Sequence, residues 1–227
     1  MQTNVMVIGN GYDLAHGLKT KYSHLIEFIK KVENQDNSLM IDEKDREFIC
    51  DCIENNGFIN YFLKYENNVP GWVDLERLLN EVTHYFEVFF NNYTHFIDSR
   101  GNITWNSLEN DMGKNDMMKI INCLFMFNLF DRDATRANYI CKHLDKKYYS
   151  DLFGLNKREI LNLLKEQLDE VIRLLQLYLK KYIYENETDI KKINQIQSIN
   201  PSYVISFNYT DTYKRYGIKA IDIIMND

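Results

Sequence analysis

The sequence predicts an α/β fold in which a small, mostly parallel sheet carries a large helical insertion, with helix predominating by residue count. Three observations support this. Short apolar runs stand at opposite ends of the chain, VMVI at 5–8 and YVISF at 203–207, and each gives way to polar residues and then a helical pattern. Between them, apolar residues recur at spacings of three and four over long stretches. Only two Pro and nine Gly in 227 residues interrupt them.

The run at 5–8 is continuous rather than alternating, which reads as a strand buried on both faces. After Gly9-Asn10-Gly11, residues 14–18 suit one or two helical turns. Ser23 then stands as an N-cap before Leu25, Ile26, Phe28, Ile29 and Val32, and residues 34–38 form a polar loop. Phe48, Ile49, Cys52 and Ile53 mark another helix, closed at Asn55-Asn56-Gly57 by residues suited to a left-handed cap. Pro70-Gly71 is the clearest breaker. Beyond it, Leu75, Leu78, Leu79, Val82, Tyr85, Phe86, Phe89 and Phe90 line one side of a long amphipathic helix. Residues 117–130 are apolar nearly all round and read as buried. The most regular helix spans 156–184, opened by an Asn156/Glu159 capping pair, with a packing seam of Leu161, Leu164, Leu168, Val171, Leu175, Tyr178 and Tyr182. Residues 212–216 complete the chain's helical turns.

The formal charge of −6 and the intermixing of basic and acidic residues argue against a nucleic-acid surface. Cys50, Cys52, Cys123 and Cys141 form no CxxC pair, so no metal site is expected. No signal peptide or membrane span is read, and a cytoplasmic protein is expected. The four N-glycosylation sequons then carry no meaning.

Two loops carry candidate chemistry. In VIGNGYDLAHG, residues 7–17, glycines at 9 and 11 let backbone approach a ligand. The stretch nevertheless fails the dinucleotide fingerprint at Leu14, and on pattern alone a tight strand-to-helix turn needing small residues is the better-supported explanation. Tyr12 offers a stacking face; Asp13 offers a carboxylate that could reach a ribose hydroxyl or simply cap the helix. His16 and His24 read as packing residues. In FNYTDT, residues 207–212, Asn208 follows the strand directly, and Tyr209, Thr210 and Asp211 either contact a ligand or cap the next helix. In an open parallel sheet, ligands bind at the carboxyl ends of strands. If the two strands are neighbours, both loops share one crevice.

VIGNGYDLAHGLKTKYSHL near the start, GWVDLERLL at 71–79 and SFNYTDTYKRYG at 206–217 together resemble the AbiH family of bacteriophage abortive infection proteins. The first and last motifs also look remotely like a sirtuin-type, Rossmann-like domain with an NAD pocket. The resemblance implies that Gly9, Asn10 and Gly11 face phosphates, with Tyr12, Tyr209 and Thr210 completing a nucleotide site. It implies that Asn208, Asp211 and Asp13 act in catalysis, as in an NAD glycohydrolase that releases nicotinamide. Trp72, Asp74 and Glu76 match the middle motif without an assigned role.

Lys19 replaces a usual Pro of the family pattern, and no His follows His143, so the strand and His-Gly motif expected beyond FNYT are missing. The last ten residues therefore read as a divergent tail of a truncated member. One domain is expected over 1–227, with residues 1–33 and 200–217 forming the pocket core and 40–185 the helical insertion. The expected ligand is NAD or another nucleotide; a phage component or host protein is the expected partner. The alternatives to catalysis are a nucleotide sensor without turnover and a toxin acting through its helical lobe.

Overall fold

In chain order the elements are β1 (Val5–Ile8), α1 (Asn10–Ala15), α2 (Tyr22–Glu33), α3 (Glu43–Asn55), α4 (Gly57–Tyr65), α5 (Trp72–Phe96), α6 (Lys114–Met126), β2 (Tyr149–Ser150), β3 (Gly154–Leu155), α7 (Lys157–Leu177), β4 (Tyr203–Ser206) and β5 (Ile221–Ile224). A π-helical segment, Tyr178–Glu185, continues α7, and a 3-10 helix, Thr212–Tyr216, precedes β5. The computed structural model describes residues 5–36, 39–65, 72–104, 114–130, 143–185, 191, 193, 201–206, 210, 212–216 and 221–224. Two units are distinguished, Met1–Phe28 with Ile172–Asp227, and Ile29–Val171.

The first unit is organised on a parallel sheet of order β1-β4-β5. Val5 lies opposite Tyr203 and Ile8 opposite Ser206; on the other side Tyr203 faces Ile221. The two expected strands are thus neighbours. β5 was not expected: residues 221–224, taken as part of a divergent tail, are the sheet's third strand. Ile8, Tyr12, Val204 and Tyr213 form a buried cluster with Met6 packed against it. Burial on both faces is not observed, because Val5 and Val7 are 55% and 63% exposed. Strand alternation turns them away from the cluster built by Tyr12 and Tyr213, and no described element covers that side.

α1 starts at Asn10, four residues earlier than the apolar spacing suggested, with Gly9 as an extended N-cap residue. It ends in a Schellman turn, where Leu18 N–H donates to the Asp13 carbonyl and Gly17 N–H to that of Leu14. Gly17 has φ +88°, a left-handed conformation that glycine adopts without a Cβ penalty. In α2, Leu25, Ile26, Phe28, Ile29 and Val32 are buried as their spacing predicts. Ser23, expected as the N-cap, lies inside the first turn. Phe28 stacks against Tyr178 and Tyr182 at 5.1 and 5.0 Å, and the Tyr178 hydroxyl donates to the Lys19 carbonyl at 2.7 Å.

The second unit is helical. Phe127 meets Phe58 and Phe86 edge-on at 4.9 and 5.0 Å, and a Cβ at Gly57 would sit 2.4 Å from the Phe127 ring. Glycine is therefore required at the start of α4. Met117, Ile120, Ile121, Leu124, Leu129 and Phe130 are buried, as expected. α5 carries a non-helical residue at Asn92, and β2 and β3 pair as a short antiparallel hairpin that the sequence did not signal. Pro70-Gly71 and Cys141 lie outside the described residues.

Asn56 departs from expectation in an informative way. It is extended, φ −93° and ψ 114°, rather than left-handed, and its side chain begins α4 instead of ending α3. Its Oδ1 accepts from Phe58 and Ile59 N–H; its Nδ2 donates to the Gln167 carbonyl at 2.7 Å and Glu170 Oε2 at 2.8 Å. Gln167 answers by accepting from Gly57 N–H at 2.8 Å and donating to the Asn55 carbonyl. All four hydrogen-bonding capacities of the Asn56 amide are used, in a buried position that ties the α3–α4 elbow to α7.

Asn56→Ala should lower unfolding free energy by about 2 kcal/mol, since it strands two helix N–H donors and removes the bonds to the Gln167 carbonyl and Glu170. Asn56→Asp should cost more, because a carboxylate cannot donate and would face Glu170. Urea unfolding with an unchanged m-value measures both; a loss under about 0.5 kcal/mol for the alanine variant contradicts the clasp.

Candidate functional site

The carboxyl ends of β1 and β4, adjacent in the sheet, lead into the two loops singled out by sequence. The first is short, because α1 begins immediately after Gly9. Gly9 has φ −138°, which any residue adopts, and a Cβ built at Gly9 or at Gly11 would meet nothing within 4 Å. Among the described residues, neither backbone strain nor crowding explains glycine at these two positions, and the space beside the backbone is open.

Asp13 makes no capping bond to α1. Instead it is 2% exposed, and its Oδ2 accepts from the Thr210 hydroxyl at 2.5 Å, across 197 positions of sequence. Thr210 and Thr212 hydroxyls lie 2.9 Å apart. Both threonine side chains hydrogen-bond the Asp13 carboxyl group, so the three form one buried polar cluster. Asp13 Oδ1 is buried with no hydrogen-bond partner among the described residues. Burial raises the Asp13 pKa above its ordinary value, against the opposing pull of Thr210, Thr212 and the charge of His16.

Tyr12, expected as a stacking face for a ligand, is buried in the cluster with Ile8, Val204 and Tyr213, and its ring packs on His16 at 4.3 Å. His16 is buried as well. Its Nδ1 lies 2.6 Å from the Tyr12 carbonyl, which can only accept, so Nδ1 carries the proton. The His16 carbonyl accepts from Lys191 N–H at 3.0 Å. His24 is half-buried, and that burial holds its pKa below the usual imidazole range.

The structure thus brings together Gly9, Asn10, Gly11, Asp13 and Thr210 from the sequence-derived set and adds Thr212, His16 and Lys191. Thr212 was legible only as the last residue of FNYTDT; nothing signalled Lys191. Asn208, Tyr209 and Asp211 lie outside the described residues. Trp72 and Asp74 fall on the first turn of α5, and Glu76 is exposed there. Among the described residues no His/Cys/Asp/Glu group is arranged to hold a metal, and no helix is long and apolar enough to cross a membrane.

A family model described as "Bacteriophage abortive infection AbiH" matches residues 5–225. Comparison with curated proteins and with solved structures gave no match.

Because the folded-state pKa of Asp13 lies above its ordinary value of 3.8, its proton-linked contribution is fully present below that value. It is lost as pH rises through the folded-state value. Asp13→Asn keeps an oxygen for Thr210 without a buried charge, so at pH 7 it should be at least as stable as the parent. The parent should gain on it as pH falls toward 4. Asp13→Ala should be less stable than the asparagine variant throughout. Thermal melts from pH 4 to 8 test this; a destabilised Asp13→Asn at pH 7 would show that the charge holds the loops together.

Proposed function

The chain belongs to the AbiH family of bacteriophage abortive infection proteins, and from that premise we propose that its defence role operates through a nucleotide bound at the carboxyl ends of β1 and β4. The observation that carries this reading is the pair of glycines at 9 and 11. Each has open space where a Cβ would stand, beside a buried carboxylate with one unoccupied oxygen. Gly11 lies in the first turn of α1, where alanine would be favoured by less than the interior figure of about 1 kcal/mol. A ligand whose phosphates approach the backbone accounts for a residue that the fold itself does not require. The position at adjacent parallel strand ends supports the same reading.

Within it, Asp13 acts as a positioning residue, since Thr210 occupies the oxygen facing the second loop. Hydrolysis of the N-glycosidic bond of NAD is the finer part of the proposal. It rests on Asn208 and Asp211, the first orienting ribose hydroxyls and the second stabilising positive charge at the ribose or placing water.

Calorimetric titration with NAD and with ATP should show saturable binding. Gly11→Ala should weaken it about tenfold or more while raising stability by up to about 1 kcal/mol, a split that a purely structural glycine would not give. Release of nicotinamide, abolished in Asn208→Ala, separates an enzyme from a sensor. Absence of binding to either nucleotide, or an unaffected Gly11→Ala, ends the proposal.

A further inference from the structure

We propose that two copies of this chain associate reciprocally, each inserting the tip of its β2–β3 hairpin into an apolar groove between α5 and α7 of the other. Groove and tip both belong to the unit Ile29–Val171. The groove has a volume of about 610 Å3, with Phe58 and Phe86 at its floor and Phe90, Leu161, Leu164 and Leu168 along its walls. Leu161 is 53% exposed, although it opens the most regular apolar seam of the sequence. The later seam residues Val171, Leu175 and Tyr178 are buried; the earlier half faces the groove, and no described residue outside the groove's lining packs over it. A seam that is continuous in sequence but covered over only half its length is short of a packing partner there.

The hairpin tip has the complementary character. Leu152 and Phe153 are 87% and 88% exposed, the only adjacent pair of large exposed apolar side chains among the described residues. They are held rigidly. Tyr149 pairs with Leu155 and Ser150 with Gly154, Phe153 N–H donates to the Ser150 carbonyl, and Leu152 N–H donates to the Ser150 hydroxyl. Gly154, at φ +71°, lets the turn approach α5, where a Cβ would stand 3.1 Å from the Tyr93 hydroxyl. A preformed apolar knob loses little conformational entropy on insertion, which favours a well-packed anchor.

The groove's charge is divided, with Glu87 on the α5 wall and two lysines on the α7 wall, and the lysine side favours a second copy's acidic tip as the occupant. Asp151 adjoins the knob, and the α7 wall of the groove carries Lys157 and Lys165. A tip entering along that wall brings an acid against two bases. Knob and groove occur together on one unit, so reciprocal insertion about a two-fold axis satisfies both surfaces at once and closes the assembly. One-sided insertion would leave each copy with an open groove or a bare tip.

Sedimentation velocity and light scattering on the full chain over about 1–100 µM should reveal a dimer. Phe153→Glu and Leu161→Glu, both at exposed positions, should each weaken association at least tenfold with an unchanged far-ultraviolet circular dichroism spectrum. Mixing these two variants should restore a mixed dimer, because one intact tip then meets one intact groove. Asp151→Lys should weaken the dimer, and adding Lys165→Glu should recover it. A monomer across the range, a dimer indifferent to Phe153→Glu and Leu161→Glu, or failure of the two variants to complement each other overturns the proposal.

Discussion

The parallel pairing of β1 with β4 is the constraint on which the rest of the chain depends. Parallel neighbours cannot be joined by a hairpin and need a crossover; here the crossover is everything between residues 8 and 203. The entropy of closing so long a loop grows only logarithmically, so a large insertion between two strands adds little cost over a short one. What such a closure demands is specificity at the join. The Asp13–Thr210 hydrogen bond supplies it just beyond the strand ends, where the two loops would otherwise be free to separate.

That join unites two of the three segments on which the resemblance to the family was read. Asp13 belongs to the opening GNGYD motif and Thr210 to the closing FNYT motif, and the bond between them makes one site of two distant segments. Carboxylates are seldom fully buried without compensation. Asp13 is compensated by the hydroxyls of two threonines, Thr210 and Thr212, nearly two hundred positions away. The juxtaposition also explains why Tyr12 turns inward: with Asp13 directed at the β4 loop, its neighbour on α1 falls over Ile8 and Val204.

Much of this architecture could be read from apolar spacing, and the failures share a cause. Periodicity in α2, α5, α6 and α7 reports which side chains prefer burial, and most of them are buried. It does not report whether a partner is present, so Leu161, Val5 and Val7 read as core and stand exposed. The strand pair β1–β4 was legible because each run ends in polar residues before a helix. β5 was not, since four residues with an aspartate among three isoleucines carry too little pattern to separate strand from tail. Asn56 and Gln167 were invisible as a pair: their partnership spans more than a hundred positions, and each alone reads as ordinary polar surface.

The contrast between the two buried polar clasps bears directly on function. Each unit has a buried polar side chain that joins segments distant in sequence, Asn56 in the helical unit and Asp13 beside the sheet. Asn56 uses both amide protons and both oxygen lone pairs, and its partners return the bonds; such a residue is fully explained by folding. Asp13 is as deeply buried, yet one carboxylate oxygen has no partner among the described residues, and two glycines nearby leave open space that packing does not require. Native structures leave few buried polar atoms unsatisfied, and those they leave tend to lie where a ligand or a reaction completes the set. On that ground our proposal sets the functional centre at the strand ends, and the helical unit's polar clasp serves to hold an elbow.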